Sequence, residues 1–152
     1  MLDLLISALC SVTRVVDGDT LIANCNQTEL RIRLCGIDAP EIRQPGGQES
    51  KQFMKKLFQD YGSQVSITPV SVDLYGRTIA EVFVNPNGTP LLVQGESLRS
   101  GQSYLYTQYL DSCPSYDLMS AESAIAQAAR RGVFSDPNAV KPWEFRRNKR
   151  LQ

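Results

Sequence analysis

A chain of 152 residues, with 42% hydrophobic and 21% charged residues, suits one folded domain of ordinary composition. Sixteen Lys+Arg balance sixteen Asp+Glu, so no global field draws it to nucleic acid or membrane. It has no histidine, which excludes Ser-His-Asp and Cys-His catalysis and any His-ligated zinc or copper site. The zero net charge hides an asymmetry. Residues 1–29 carry Asp3, Asp17, Asp19 and Glu29 against Arg14, while 141–150 carry Lys141, Arg146, Arg147, Lys149 and Arg150 against Glu144. We expect a single domain over 1–152, with an N-terminal segment at 1–11 and a basic tail at 138–152.

The opening MLDLLISAL is apolar but brief, and Asp3 stands where a signal peptide carries Lys or Arg. It reads as a buried or paired terminal segment, with a truncated signal or a non-native remnant as the competing readings. No apolar run is long enough to span a bilayer. Val12–Val16 and Leu21–Cys25 are β-prone and flank Asp17-Gly18, a two-residue hairpin signal. That register sets Cys10 opposite Cys25 and makes them the first disulfide pair. It also makes them a hydrogen-bonded pair, with the wider Cα spacing, unless a bulge intervenes. Cys35–Cys113 follows by subtraction. The even count and the lack of any C-x-x-C point to two disulfides and an oxidising compartment; four reduced thiols is the competing reading.

Glu29–Ile37 reads as a third strand, with Leu30, Ile32 and Leu34 on one face and Arg31 and Arg33 on the other. Residues 48–61 space Phe53, Leu57, Phe58 and Tyr61 on one helical face. Gln64–Val70 and Arg77–Val84 are further strands, and Asn85-Pro86-Asn87-Gly88 is a turn. Leu91–Ser100 is a short helix ended by Gly101. Asp117–Arg131 is a longer one, with Leu118, Ile125 and Ala129 inward and Gly132 as its stop. The polar tail from Asn138 is anchored by Trp143 and Phe145. Five strands with an interposed helix, then two helices, give an α+β pattern suited to a five-stranded OB-fold β-barrel with three α-helices.

Three clusters carry chemistry. Asp17-Gly18-Asp19-Thr20 alone is a polar turn, and Leu21 and Ile22 rule out an EF-hand loop. In Arg33-Leu34-Cys35-Gly36-Ile37-Asp38-Ala39-Pro40-Glu41, Pro40 forces a turn that lets Asp38 and Glu41 project to one side. Asp73-Leu74-Tyr75-Gly76-Arg77 alone is a polar β-turn. Together they supply two carboxylates for a hard cation, a third to take a proton from water, and two arginines to clamp a phosphate. Those are the parts of metal-assisted phosphodiester hydrolysis.

With these motifs in family order, the chain resembles the staphylococcal nuclease (thermonuclease) family over roughly residues 12–145. The resemblance implies an OB-fold barrel with three helices and Ca²⁺-dependent cleavage of DNA and RNA, single-stranded or locally opened. It implies side-chain Ca²⁺ ligands at Asp19 and Asp38 and a backbone carbonyl from Ala39. Arg33 and Arg77 would bind phosphate, and Glu41 would activate or position the water. Tyr75 would contact the nucleotide, with Tyr109 a second contact. Two features depart from the family's best-known member: Leu74 replaces a basic residue, and the 42–47 loop is shorter and poor in lysine. We therefore expect weaker substrate binding with a shallow salt dependence. A secreted, periplasmic or surface endonuclease, monomeric and without a membrane span, is the leading reading. The alternative is an inactive module on the same barrel that binds nucleic acid or a protein partner.

Overall fold

The computed structural model describes residues 8–108 and 110–151. Among the described residues are eight strands and four α-helices. In chain order these are β1 (Ala8–Val15), β2 (Thr20–Cys25), β3 (Thr28–Leu34), β4 (Ile37–Asp38), α1 (Gly47–Tyr61), β5 (Gln64–Val72), β6 (Thr78–Val84), β7 (Leu91–Leu92), α2 (Val93–Arg99), β8 (Tyr104–Leu105), α3 (Tyr116–Ala128) and α4 (Pro142–Arg150). β3, β2, β1, β5 and β6 pair antiparallel in that order, and a parallel β3–β6 pairing closes the barrel. Closure removes the free sheet edges that would otherwise invite aggregation. This is the expected α+β OB-fold barrel, with a fourth helix beyond the three expected. Residues 1–7, which include most of the apolar opening, lie outside the described residues.

The β1–β2 hairpin reaches the expected Cys10–Cys25 pairing by a different route. Asp17, Gly18 and Asp19 form a three-residue loop, closed by Val16 N–H donating to Thr20 O at 2.9 Å. This shifts the register near the turn, where Val15 pairs with Leu21 and Arg14 with Ile22. A bulge at Thr13 shifts it back, so Val12 pairs with Ala23 and Cys10 with Cys25. The bulge also changes parity. The Cα atoms of Cys10 and Cys25 stand 4.3 Å apart, the close spacing of a non-hydrogen-bonded pair. Cys35 joins Cys113 as the second disulfide. β5 likewise runs past its expected end, because a bulge between Pro69 and Ser71 accommodates the proline that cannot donate to the ladder.

The barrel interior is filled by Leu21, Ala23, Ile32, Leu34, Val65, Ile67, Ala80 and Val82, all nearly inaccessible to water. Met54, Leu57 and Phe58 of α1 join that core, while Tyr61, expected on the same face, is 45% exposed. Each buried Val, Leu, Ile, Met or Phe side chain among these contributes about 1.5–3 kcal/mol through burial.

The inward face of α3 differs from the expected one. Leu118 and Ile125 are 48% and 41% exposed, and Met119, Ser123 and Ala126 face inward instead. Small residues on the buried face allow a close approach to α2. Met119 reaches the turn after β3, where a Cβ on Gly36 would meet its Sδ at 2.8 Å. Gly36 also has φ +82°, so both its conformation and its surroundings require glycine.

Glu81 of β6 fixes the start of α3. Its buried carboxylate accepts from Ser115 N–H at 2.6 Å and Ser115 Oγ at 2.9 Å. A carboxylate at a helix N-terminus also complements the helix dipole. Glu81→Ala is expected to cost about 2–4 kcal/mol by leaving those donors unpaired. A urea-denaturation midpoint indistinguishable from wild type would refute that assignment.

Candidate active site

Three chain segments converge at one end of the barrel. The β1–β2 loop carries Asp17 and Asp19, and the end of β3 with β4 carries Arg33, Asp38 and Ala39. The turn after β4 carries Glu41. Asp19 is locked from several sides: its Oδ2 accepts Ala39 N–H at 2.8 Å, its Oδ1 accepts Thr20 Oγ1 at 3.2 Å, and its carbonyl accepts Leu34 N–H at 2.8 Å. Asp17 Oδ1 accepts Asp19 N–H at 2.9 Å, which shapes the loop. β4 is held by pairing with β8, Asp38 against Tyr104 and Ile37 against Leu105.

Arg33 joins the two buried aspartates. Its Nη2 lies 3.5 Å from Asp19 Oδ2 and 3.4 Å from Asp38 Oδ1, while Nη1 donates to Leu34 O at 2.9 Å. Asp19 and Asp38, from separate elements, thus face the same cationic nitrogen.

Glu41 is held by a turn built on Gln44. Gln44 N–H donates to Glu41 O, Glu41 N–H donates to Gln44 Oε1, and Gln44 Nε2 donates to Val140 O. Gly47 packs directly on the Glu41 carbonyl, where a Cβ would come within 1.9 Å of the oxygen.

The electrostatics separate the three aspartates. Burial and then the charge of Asp19 push Asp17 up to about 7. Burial also opposes ionisation of Asp19, but Arg33 and hydrogen bonds from Asp17, Ala39 and Thr20 hold it below the ordinary carboxylate range. Asp38 is raised, by burial first and by Asp19 as well, against the pull of Arg146 and Arg33. Like charges crowded into one buried site produce such a split, and a cation placed among them relieves it.

Arg146 completes the cluster, and its role was not read from the sequence. Its Nη2 donates to Asp38 Oδ2 at 2.7 Å; its Nη1 donates to Asp38 Oδ1 at 3.1 Å and to Glu41 Oε1 at 2.7 Å. The sequence predicts a polar, basic tail from Asn138 anchored by Trp143 and Phe145. It is α4, and the aromatics aim it. Trp143 stacks on Tyr106 at 5.9 Å and meets Tyr104 edge-on at 5.8 Å. Trp143 and Arg146 are three apart and share one helix face. A Trp followed at that spacing by Arg was the available signal. Arg146→Ala is expected to cost about 1–3 kcal/mol, since it strips donors from buried Asp38. Chemical denaturation checks this, and an unchanged midpoint would count against the contact.

Arg77 does not join the carboxylates. Its Nε donates to Asp73 Oδ2 at 2.7 Å, and its guanidinium lies 5.7 Å from the Tyr75 ring centre. Register still puts it on the Arg33 side: Arg33 pairs with Ile79 of β6, and Arg77 lies two residues earlier, just before that strand. Tyr75 is 84% exposed at the tip of a turn that Asp73 organises by accepting from the N–H groups of Tyr75 and Arg77. Tyr109 lies outside the described residues.

Similarity agrees with this geometry. A family model described as staphylococcal nuclease homologue matches residues 31–136. The chain belongs to the staphylococcal nuclease family. It is 34% identical over 141 residues to a micrococcal nuclease of Shigella flexneri, covering 90% of this chain and 79% of that protein. It is 36% identical over 138 residues to an uncharacterized endonuclease of Escherichia coli, covering 91% and 84% respectively. A probable staphylococcal-like nuclease of Oryza sativa subsp. japonica is 34% identical over 134 residues, 85% of this chain and 33% of that protein. These relatives support a nuclease function. The family match ends before α4, so Arg146 lies beyond it.

Proposed function

We propose that this chain is a calcium-dependent endonuclease that hydrolyses phosphodiester bonds of DNA and RNA with little sequence specificity. The observation that carries the reading is the pair of buried aspartates, Asp19 and Asp38, facing one cationic nitrogen beside Glu41.

The donor set fits a hard divalent cation. It is all oxygen, with two buried carboxylates from separate elements. Among the described residues no three His, Cys, Asp or Glu side chains group as a metal site. Asp19 and Asp38 would therefore hold the ion together with the Ala39 carbonyl and water. When bound, Ca²⁺ supplies charge neutralisation at the phosphate oxygens.

The chain's own groups do the rest. Arg146 occupies Glu41 Oε1, which leaves Oε2 to accept a proton from the attacking water. Arg33 on β3 and Arg77, just before the neighbouring β6, clamp the phosphate and stabilise the charge that builds on it in the transition state. Tyr75, open to solvent, offers a sequence-tolerant stacking face to a base, and Tyr109 is a second contact. Such contacts favour single-stranded or locally opened substrate, bound by a monomer that works as one domain over 1–152. The two disulfides support action in an oxidising compartment, as a secreted, periplasmic or cell-surface protein. Among the described residues no helix is long and apolar enough to cross a membrane.

The test is cleavage of plasmid and heat-denatured DNA, and of RNA, with added Ca²⁺ and then with excess chelator. Cleavage that needs the ion and stops with chelator is the expected result. No ion-dependent cleavage at any salt concentration would sink the enzyme reading and leave the inactive binding module.

A further inference from the structure

α4 builds more than the Arg146 contact. Between it and the turn after Glu41 lies a cleft of about 260 Å³, lined by Glu41, Ile42, Arg43, Phe145, Arg146 and Lys149. The charge of Arg146 is already taken up by Asp38 and Glu41. Arg43 and Lys149 are different. Both are exposed, on opposite walls, and neither side chain has a hydrogen bond or ion pair among the described residues. Ile42 and Phe145 give the cleft an apolar surface between those cations. Its third charged wall, Glu41, belongs to the reaction site itself.

From these features we infer that the cleft is a second phosphate subsite, which takes the phosphodiester next to the scissile one on a single strand of nucleic acid. The inference rests on the nuclease reading and extends it. With the reacting phosphate held by Arg33 and Arg77, the strand crosses Glu41 and enters the cleft. There Arg43 and Lys149 neutralise the neighbouring phosphate, and Phe145 packs against its sugar or base. A lysine-poor loop after Glu41 thereby gains from α4 the cation it lacks. A larger groove of about 560 Å³ between β1 and α1 also carries cations, Arg14, Lys51 and Lys55. It shares no residue with the reaction site, so it serves as the control.

The experiment is equilibrium binding of a labelled single-stranded oligothymidylate of about eight residues, read by fluorescence anisotropy across a salt series in chelator. Wild type is compared with Arg43→Ala/Lys149→Ala and with Lys51→Ala/Lys55→Ala; circular dichroism confirms that each is folded. The cleft pair is expected to weaken binding about tenfold or more and to flatten the log–log salt slope by about 0.7, one single-strand phosphate contact. The control pair is expected to change the slope by less than half that. Lys149→Glu, a single exposed change, should weaken binding further than Lys149→Ala. If the cleft pair leaves the slope as in wild type, or the control pair shifts it equally, the subsite does not exist. The readout needs no cleavage. An inactive wild type with the expected slopes would therefore fell the nuclease reading and keep the subsite.

Discussion

Glu41→Gln is expected to lower kcat about 10²- to 10⁴-fold while substrate KM and cation affinity stay near wild type. Glutamine keeps the size of the side chain and an oxygen that can accept from Arg146 Nη1, where Glu41 Oε1 accepts at 2.7 Å. It therefore holds the α4 contact but cannot take a proton from water. A loss confined to kcat is the mark of an interaction made only in the transition state. The comparison variants are Asp19→Asn and Asp38→Asn, which remove charge from the two buried carboxylates and should weaken cation binding, read by calorimetry. Steady-state kinetics on one oligonucleotide at saturating cation separates the cases. A Glu41→Gln enzyme within twofold of wild type would remove Glu41 from the proton transfer. A matching drop in cation affinity would move it into the metal shell.

The proposed roles of these residues came from motif chemistry, and the fold explains why motif reading went so far. Asp19, Arg33, Asp38 and Glu41 lie in short segments whose local geometry is over-determined. Gly36 turns the chain after β3, Pro40 turns it after β4, and Gln44 pins the Glu41 backbone. Side chains set by turns a few residues away can be read from a few residues. Arg146 could not be read this way. It reaches Asp38 across a sequence separation of 108 residues, and what aims it is Trp143, stacked on Tyr106 and edge-on to Tyr104. Trp143 marks the helix face, but it is three residues before Arg146 and four before Arg147 and so does not choose between them. The same limit shaped the α3 reading. Hydrophobicity selected Leu118 and Ile125, but close packing against α2 and Gly36 selected Met119, Ser123 and Ala126. In the β1–β2 hairpin two departures cancelled: the longer turn and the bulge at Thr13 together restored the register that an ideal two-residue turn implies.

Loss of the Cys35–Cys113 bond is expected to destabilise the protein by about 4–5 kcal/mol, since the bond closes a span of 78 residues. Cys10–Cys25, with a separation of 15, should contribute about 3 kcal/mol by the same chain-entropy argument. Against a typical total of about 5–15 kcal/mol, losing the longer bond alone brings the fold close to failure. The two bonds should also differ in what they do to activity. Cys35 lies directly between β3, which carries Arg33, and the turn into β4, which carries Asp38. Cys113 ties that junction to the approach to α3, and both sulfur-bearing side chains are buried at 1% exposure. Cys10–Cys25 staples the far end of the β1–β2 ladder, away from the Asp17–Asp19 loop. Cys35→Ala/Cys113→Ala should therefore weaken cation binding even at temperatures where the protein remains folded, and Cys10→Ala/Cys25→Ala should not. Urea denaturation with and without reductant, followed by calorimetric cation titration below the melting transition, measures both effects. Intact-protein mass in the absence of reductant comes first. Four free thiols there, or a reductant-induced change under about 1 kcal/mol, would remove both the stability argument and the inference to an oxidising compartment that rests on it.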